Sequence, residues 1–147
     1  MKTIVIGNDH GGVEMKTEIM ERLAATGHRV INVGVDDHNE VDYPDMAKVA
    51  AKYIVEEQAD FGILICGTGI GIGMAANKVK GIRAALCSDC FSARMSKEHN
   101  NANIITLGAR TIGIELAWEI VQSYMNAKFL GGKHAVRVEK INAIGCK

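Results

Sequence analysis

The chain has 147 residues, with 17 basic and 17 acidic side chains. That balance gives no global field to hold nucleic acid or an anionic membrane, so any anion must be held by a local cluster. The length suits one domain, residues 1–147, with a true hydrophobic core. The elements follow in order. Thr3-Ile4-Val5-Ile6 has the character of a strand. Met15, Ile19 and Leu23 then share a helical face that Gly27 closes. Val30-Ile31-Asn32-Val33 is the second strand, and Asp42-Tyr43-Pro44 opens a helix whose stripe is Ala47, Ala50, Ala51 and Ile54. Phe61 to Cys66 is nearly all apolar, as a strand covered on both faces should be. Ile82 to Cys87 and Ile104 to Leu107 complete five strands. Ala117, Ile120, Val121, Tyr124 and Met125 mark a further helix, and a last one, from about Lys133 to Ala143, follows Gly131-Gly132. Alternating strands and helices predict an α/β fold with a five-stranded parallel sheet covered on both faces.

The longest uncharged stretch, 61–77, is interrupted by five glycines and is no membrane span. Met1-Lys2 leads straight into a strand without a signal-peptide pattern, which favours the cytoplasm. Cys66, Cys87, Cys90 and Cys146 are then expected as reduced thiols. Cys87-Ser88-Asp89-Cys90 has C-x-x-C spacing, but no second ligand pair accompanies it, so neither a metal nor a cofactor is expected.

Parallel sheets bind ligands at the carboxyl ends of their strands. There the sequence places Asn8-Asp9-His10, Asp42-Tyr43, Cys66-Gly67-Thr68-Gly69, Ser88-Asp89 and Gly108-Ala109-Arg110. The loop Gly67 to Gly73 raises two readings. Gly71-Ile72-Gly73-Met74-Ala75-Ala76 matches the dinucleotide pattern G-x-G-x-x-A, with Asp89 as a ribose-binding acid. However, Gly71 lies five residues past Cys66 instead of in the turn at the strand end, and there is no room for a second domain. The better reading is an anion-binding turn whose N–H groups open a helix, favouring a Cys66 thiolate and stabilising the oxyanion that proton abstraction creates, against the alternative that Cys66 is only a buried strand cysteine. Gly73 then serves close helix packing.

Lys133 and Arg137, four apart beside His134, suit either a phosphate site or a solvated basic face. Asp9-His10 suits either a loop-stabilising pair or a site. His99-Asn100 follows a helix and precedes the fifth strand, at the amino end of the sheet. That is the wrong edge for a site at Cys66, so His99 is either structural or serves a neighbouring subunit.

Asp9-His10-Gly11-Gly12, Asp42-Tyr43-Pro44, Ile65 to Gly71, Ala76-Asn77-Lys78, Gly81-Ile82-Arg83-Ala84, His99-Asn100 and Gly131-Gly132-Lys133-His134 together resemble the type B ribose-5-phosphate isomerases, whose scaffold galactose-6-phosphate and allose-6-phosphate isomerases share. The resemblance implies a three-layer, Rossmann-like α/β/α sandwich with strand order 2-1-3-5-4 and a C-terminal helix. It implies metal-free isomerisation of a small sugar phosphate, ribose 5-phosphate to ribulose 5-phosphate, through an enediolate. By the resemblance, Cys66 moves the proton between C2 and C1, Gly67, Gly69, Ile70 and Gly71 form the oxyanion hole, and Thr68 shuttles protons. His99 opens the sugar ring, and Asp9, Tyr43 and Asn100 contact hydroxyls. His10, Arg110, Lys133 and Arg137 hold the phosphate. A homodimer or homotetramer with sites shared across its interface is also implied, which would explain His99. Two departures matter. Lys133 stands where many ribose-processing members have arginine, losing the bidentate grip. Ala75 and Ala76 offer no carboxylate of the kind some relatives use in place of the cysteine.

Overall fold

A computed structural model describes residues 1–145; Cys146, expected above as a reduced thiol, lies outside them. The strands are β1 (Thr3–Asn8), β2 (Arg29–Asn32), β3 (Phe61–Cys66), β4 (Ala84–Leu86) and β5 (Ile104–Gly108). The α-helices among the described residues are α1 (Val13–Ala25), α2 (Tyr43–Val55), α3 (Ile70–Ala76), α4 (Cys90–Glu98), α5 (Ile114–Met125) and α6 (Lys133–Ala143), and a single 3-10 turn spans His10–Gly12. The sheet runs β2-β1-β3-β5-β4 with every pairing parallel. This is the α/β sandwich and strand order expected.

Burial explains the layers. Every residue of β3 is buried because the strand is central and covered on both faces. Ile63 and Ile65 join the stripes of α1 and α5, with Ala93 of α4. Leu64 and Cys66 face the small-residue stripe Ala47, Ala50 and Ala51 of α2 and Ile72 and Ala76 of α3. Alanines along α2 let that helix approach the sheet closely. Pro44 stands in the first turn of α2, where its missing N–H costs nothing. Gly27 follows α1 at φ +88°, a left-handed closure that glycine adopts without strain.

The fourth strand is shorter than its apolar run. Ile82 N–H bonds the Val79 carbonyl in a turn that passes through Gly81 at φ +91°, so the strand starts only at Ala84. It lies at the sheet edge, paired with β5 alone.

The connections fix the two ends of the sheet. Each strand's carboxyl end feeds the next helix, and each helix returns the chain to the amino end. Asp9 N–H bonds Ile65 O at 3.1 Å, Ala109 N–H bonds Cys66 O at 2.9 Å, and Arg110 N–H bonds Gly67 O at 2.9 Å. These bonds stitch the tails of β1, β3 and β5 into one platform.

Candidate active site

The platform is built around Cys66. Its thiol is 5% exposed, and the Gly69 N–H donates to Sγ at 3.1 Å. That approach requires residue 69 at φ +77°, in the left-handed region. A Cβ there would lie 2.7 Å from Leu86 Cδ1 and 2.9 Å from the Leu107 carbonyl carbon, so glycine is needed for space as well. The Gly69 carbonyl accepts from Thr106 Oγ1 at 2.7 Å, a buried bond that locks the turn to β5. Thr68 is exposed, and its Oγ1 accepts from Ile70 N–H at 3.2 Å, which leaves the hydroxyl proton free to donate. The seven residues of α3 make too short a helix for a long macrodipole, so individual N–H groups supply the field at the sulfur.

The expected neighbours surround this turn. A Cβ on Gly71 would lie 2.6 Å from the Tyr43 ring, so the phenol stands directly over the loop. Asp9 is 7% exposed, and its Oδ1 accepts from Gly11 N–H at 2.9 Å. A Cβ on Gly11 would be 3.7 Å from Gly67 N, which brings the tail of β1 against the cysteine loop. His10 accepts Val41 N–H at Nδ1, at 3.3 Å, so its ring proton sits on Nε2, turned away from that bond. The Arg110 side chain packs over Gly67, whose Cβ would lie 3.4 Å from Arg110 Cδ. Arg110 thus belongs to the same chain's Cys66 platform.

His99, Asn100, Lys133 and Arg137 form a second group elsewhere. His99 ends α4, at the amino end of the sheet, and stacks on His134 with centroids 4.2 Å apart and planes 9° apart. Partial burial, then the charges of His99, Lys133 and Arg137, hold the His134 imidazolium below its ordinary range. Leu130 N–H bonds Glu98 O at 3.0 Å, which ties the start of α6 to the end of α4. A cavity of about 740 Å³ lies beside this group, between Arg83, Asn100 and Ile141, and not over Cys66. Among the described residues, no carboxylate pairs with Arg110, Lys133 or Arg137. The four residues assigned to phosphate therefore split, with His10 and Arg110 at one end of the chain's sheet and Lys133 and Arg137 at the other.

One contributor, Thr106, escaped the sequence reading. Thr106 is the one hydroxyl in an otherwise apolar strand, which is a signal in hindsight. At Gly108 a Cβ would lie 2.7 Å from the Thr68 carbonyl, so glycine is what lets the loop rest on β5. Gly73 packs its Cα side on Thr106, 3.3 Å from a built Cβ, as close helix packing requires. Cys87 and Cys90 are free thiols. Burial, the dominant effect, pushes the Cys87 thiol up to about 11. No cluster of three or more His, Cys, Asp or Glu side chains suited to a metal occurs among the described residues. No helix among them is long and apolar enough to cross a membrane.

Comparison with known proteins matches residues 4–141 to a family described as Ribose/Galactose Isomerase. The chain is 45% identical over 144 residues to ribose-5-phosphate isomerase B of Escherichia coli, covering 98% of this chain and 97% of that one. It is also 45% identical, over 142 residues, to a D-erythrulose-4-phosphate isomerase of Pectobacterium atrosepticum, covering 96% of this chain and 93% of that one. The solved ribose-5-phosphate isomerase B of Clostridium thermocellum superposes with a TM-score of 0.94 at 50% identity, covering 95% of each chain.

The glycine turn makes a paired prediction. Gly69→Ala should cost about 2 kcal/mol or more, combining left-handed strain with the collision against Leu107. Gly27→Ala carries the strain alone, since nothing lies within 4 Å of its Cβ, and should cost about half as much. Equal losses in urea titrations would mean that the packing of Gly69 is unimportant. The thiols give a second prediction. With Cys87 near 11, only about a thousandth of it is thiolate at pH 8. Iodoacetamide at that pH should label Cys90 and spare Cys87 in peptide maps of the native protein; equal labelling would contradict the burial.

Proposed function

The chain belongs to the ribose/galactose isomerase family, and from that premise we propose that it is a metal-independent sugar-phosphate isomerase interconverting ribose 5-phosphate and ribulose 5-phosphate. The observation that carries the reading is the Cys66 sulfur, bonded by Gly69 N–H at the mouth of an amide-lined turn. A sulfur so held is placed to act as a base, and the neighbouring amides to receive the charge it creates.

In this scheme the open-chain aldose lies over the loop. Cys66 takes the proton from C2, and the electron pair moves through C1 to leave an enediolate with negative charge on O1. Amides of Gly67 and Gly71 hold that charge, beside those of Gly69 and Ile70, which hold Cys66 and Thr68 in place. Thr68, its oxygen already accepting from Ile70, relays a proton between O2 and O1. The thiol then returns its proton to C1, and O2 becomes the ketone oxygen. Asp9 and Tyr43 orient the sugar hydroxyls. His10, through Nε2–H, and Arg110 approach the phosphate from the same chain.

The remaining residues come from a second copy. His99 would open the furanose by moving a proton from O1 to the ring oxygen, with Asn100 on a hydroxyl and Lys133 and Arg137 on the phosphate. Support for a homo-oligomer with shared sites is the separation of the two groups within one chain and, among the described residues, the cations without carboxylate partners in each. Lys133 gives a point charge where a planar arginine would give two parallel bonds. The free thiols of Cys66, Cys87 and Cys90 fit a reducing cytoplasm.

A second reading concerns chain length. The family's description covers galactose as well as ribose substrates, and a relative of equal identity is named for a four-carbon sugar phosphate. The enediolate chemistry is the same for each.

Cys66→Ala should lower kcat for ribose 5-phosphate by about 10² to 10⁴ while sugar-phosphate binding persists. A variant near wild-type rate would remove the proposed base. Activity should survive EDTA. Among ribose 5-phosphate, allose 6-phosphate, galactose 6-phosphate and erythrulose 4-phosphate, kcat/KM should be highest for the first; a higher value for another would reassign the substrate.

A further inference from the structure

A buried cation lies beneath the strap that joins β2 to α2. Lys16, on α1, is 1% exposed. Its ammonium donates to the Val35 carbonyl at 2.8 Å, to Asn32 Oδ1 at 3.4 Å and to the Asp36 carboxylate. Asp36 is 77% exposed, so the charge is inside and its counter-charge at the surface. The Lys16 and Asn32 bonds hold the Asp36 carboxyl below its ordinary range. Burying an ammonium is costly unless its protons are bonded. A methionine would fill the same space without that cost, so what the lysine adds is a grip on the strap.

The grip is shared with the end of β1. Asn8 Nδ2 donates to the same Val35 carbonyl at 3.0 Å and to the Asp9 carbonyl at 2.8 Å. Asn32 Nδ2 donates to Asp36 at 2.8 Å, and Asn32 Oδ1 accepts Gly34 N–H at 3.0 Å. Gly34 has no room for a side chain, since a Cβ would lie 2.6 Å from Asn8 N. From this anchor the strap, residues 33–42, runs to Val41, whose N–H reaches His10 Nδ1 at 3.3 Å, and on to Tyr43 over Gly71. Cys66 and its turn are held separately, by β3 and by Thr106.

We propose that Lys16 is a positioning residue for substrate: by clamping Val35 and Asp36 it fixes the strap, and so sets the ring proton of His10 on Nε2 and the place of the Tyr43 phenol. The role of those two side chains toward substrate rests on the isomerase reading above. Because the base and its turn do not hang from the strap, loss of the clamp acts on binding and spares the chemical step.

The test is Lys16→Met in the full-length protein, with two readouts beside a melting curve. Long-range ¹H–¹⁵N spectra of His10, recorded without ligand, should show the Nε2–H tautomer in wild type and a mixture in the variant. Steady-state kinetics on ribose 5-phosphate should show KM raised about tenfold with kcat within about twofold. An unchanged His10 spectrum with unchanged KM in the folded variant overturns the proposal, as does a fall in kcat at constant KM. If the wild-type protein does not isomerise sugar phosphates, the functional reading fails, and the His10 spectrum alone still decides the role of Lys16. Should Lys16→Met not fold, the surface change Asp36→Ala removes one arm of the clamp. It should mix the His10 tautomers and raise KM about threefold, and no change in either would overturn the proposal.

Discussion

The Gly69 N–H reaches the Cys66 sulfur only because one residue turns left-handed in a place with no space for a side chain. Everything else near the site serves that turn or borders it. Thr106 holds its carbonyl from β5, Gly108 gives up its side chain so that Thr68 can rest on the strand, and Tyr43 stands over its far end. An N–H group fixed toward sulfur before any ligand arrives needs no reorganisation when charge develops, which is how preorganised donors stabilise anions. The constraint is geometric, and it explains why a run of alternate glycines follows a buried strand.

The same rigidity does not extend over the whole platform. The left side of the site hangs on the 33–42 strap, whose hold is polar: a buried ammonium, two asparagines and one carboxylate. The right side is Arg110, packed over Gly67 and fixed through its own backbone bond to that residue. Cys66, its turn and Arg110 therefore ride on the central strands, while the contacts of His10 and Tyr43 depend on a loop clamped from below.

Much of this was legible in the sequence, for physical reasons. Periodicity located the strands and most helices, because each apolar stripe has to meet the sheet. Counting alternations placed His99 at the amino end, where the structure has it stacked on His134. The glycine-rich turn directly after Cys66 was enough to expect N–H groups near the sulfur, but not that Gly69 supplies the one bonded to it. What was not legible depends on contacts between distant segments. Thr106 meets Gly69 across 37 positions, and Lys16 meets Val35 across 19. Neither residue type announces a role at its own position; a lysine on α1 reads as solvated until the fold buries it. The edge strand was overestimated because its apolar run continues through a turn at Gly81 that hydrophobicity does not reveal.

The division of the expected site into two groups is what motivates the proposed assembly. One end of the chain holds Cys66 with His10 and Arg110, and the other holds His99 with Lys133 and Arg137, two cations without carboxylate partners among the described residues. If each site borrows from a neighbour, two different defects placed on different chains can be repaired in one complex. Subunits carrying Cys66→Ala, which lack the proposed base, should be mixed with subunits carrying His99→Ala and their assembly verified by native mass spectrometry. Recovery of up to about half the wild-type sites in mixed dimers is the predicted result, one intact site per dimer following from twofold symmetry. Mixed dimers as inactive as the two parents would contradict the shared site and return His99 to a structural role.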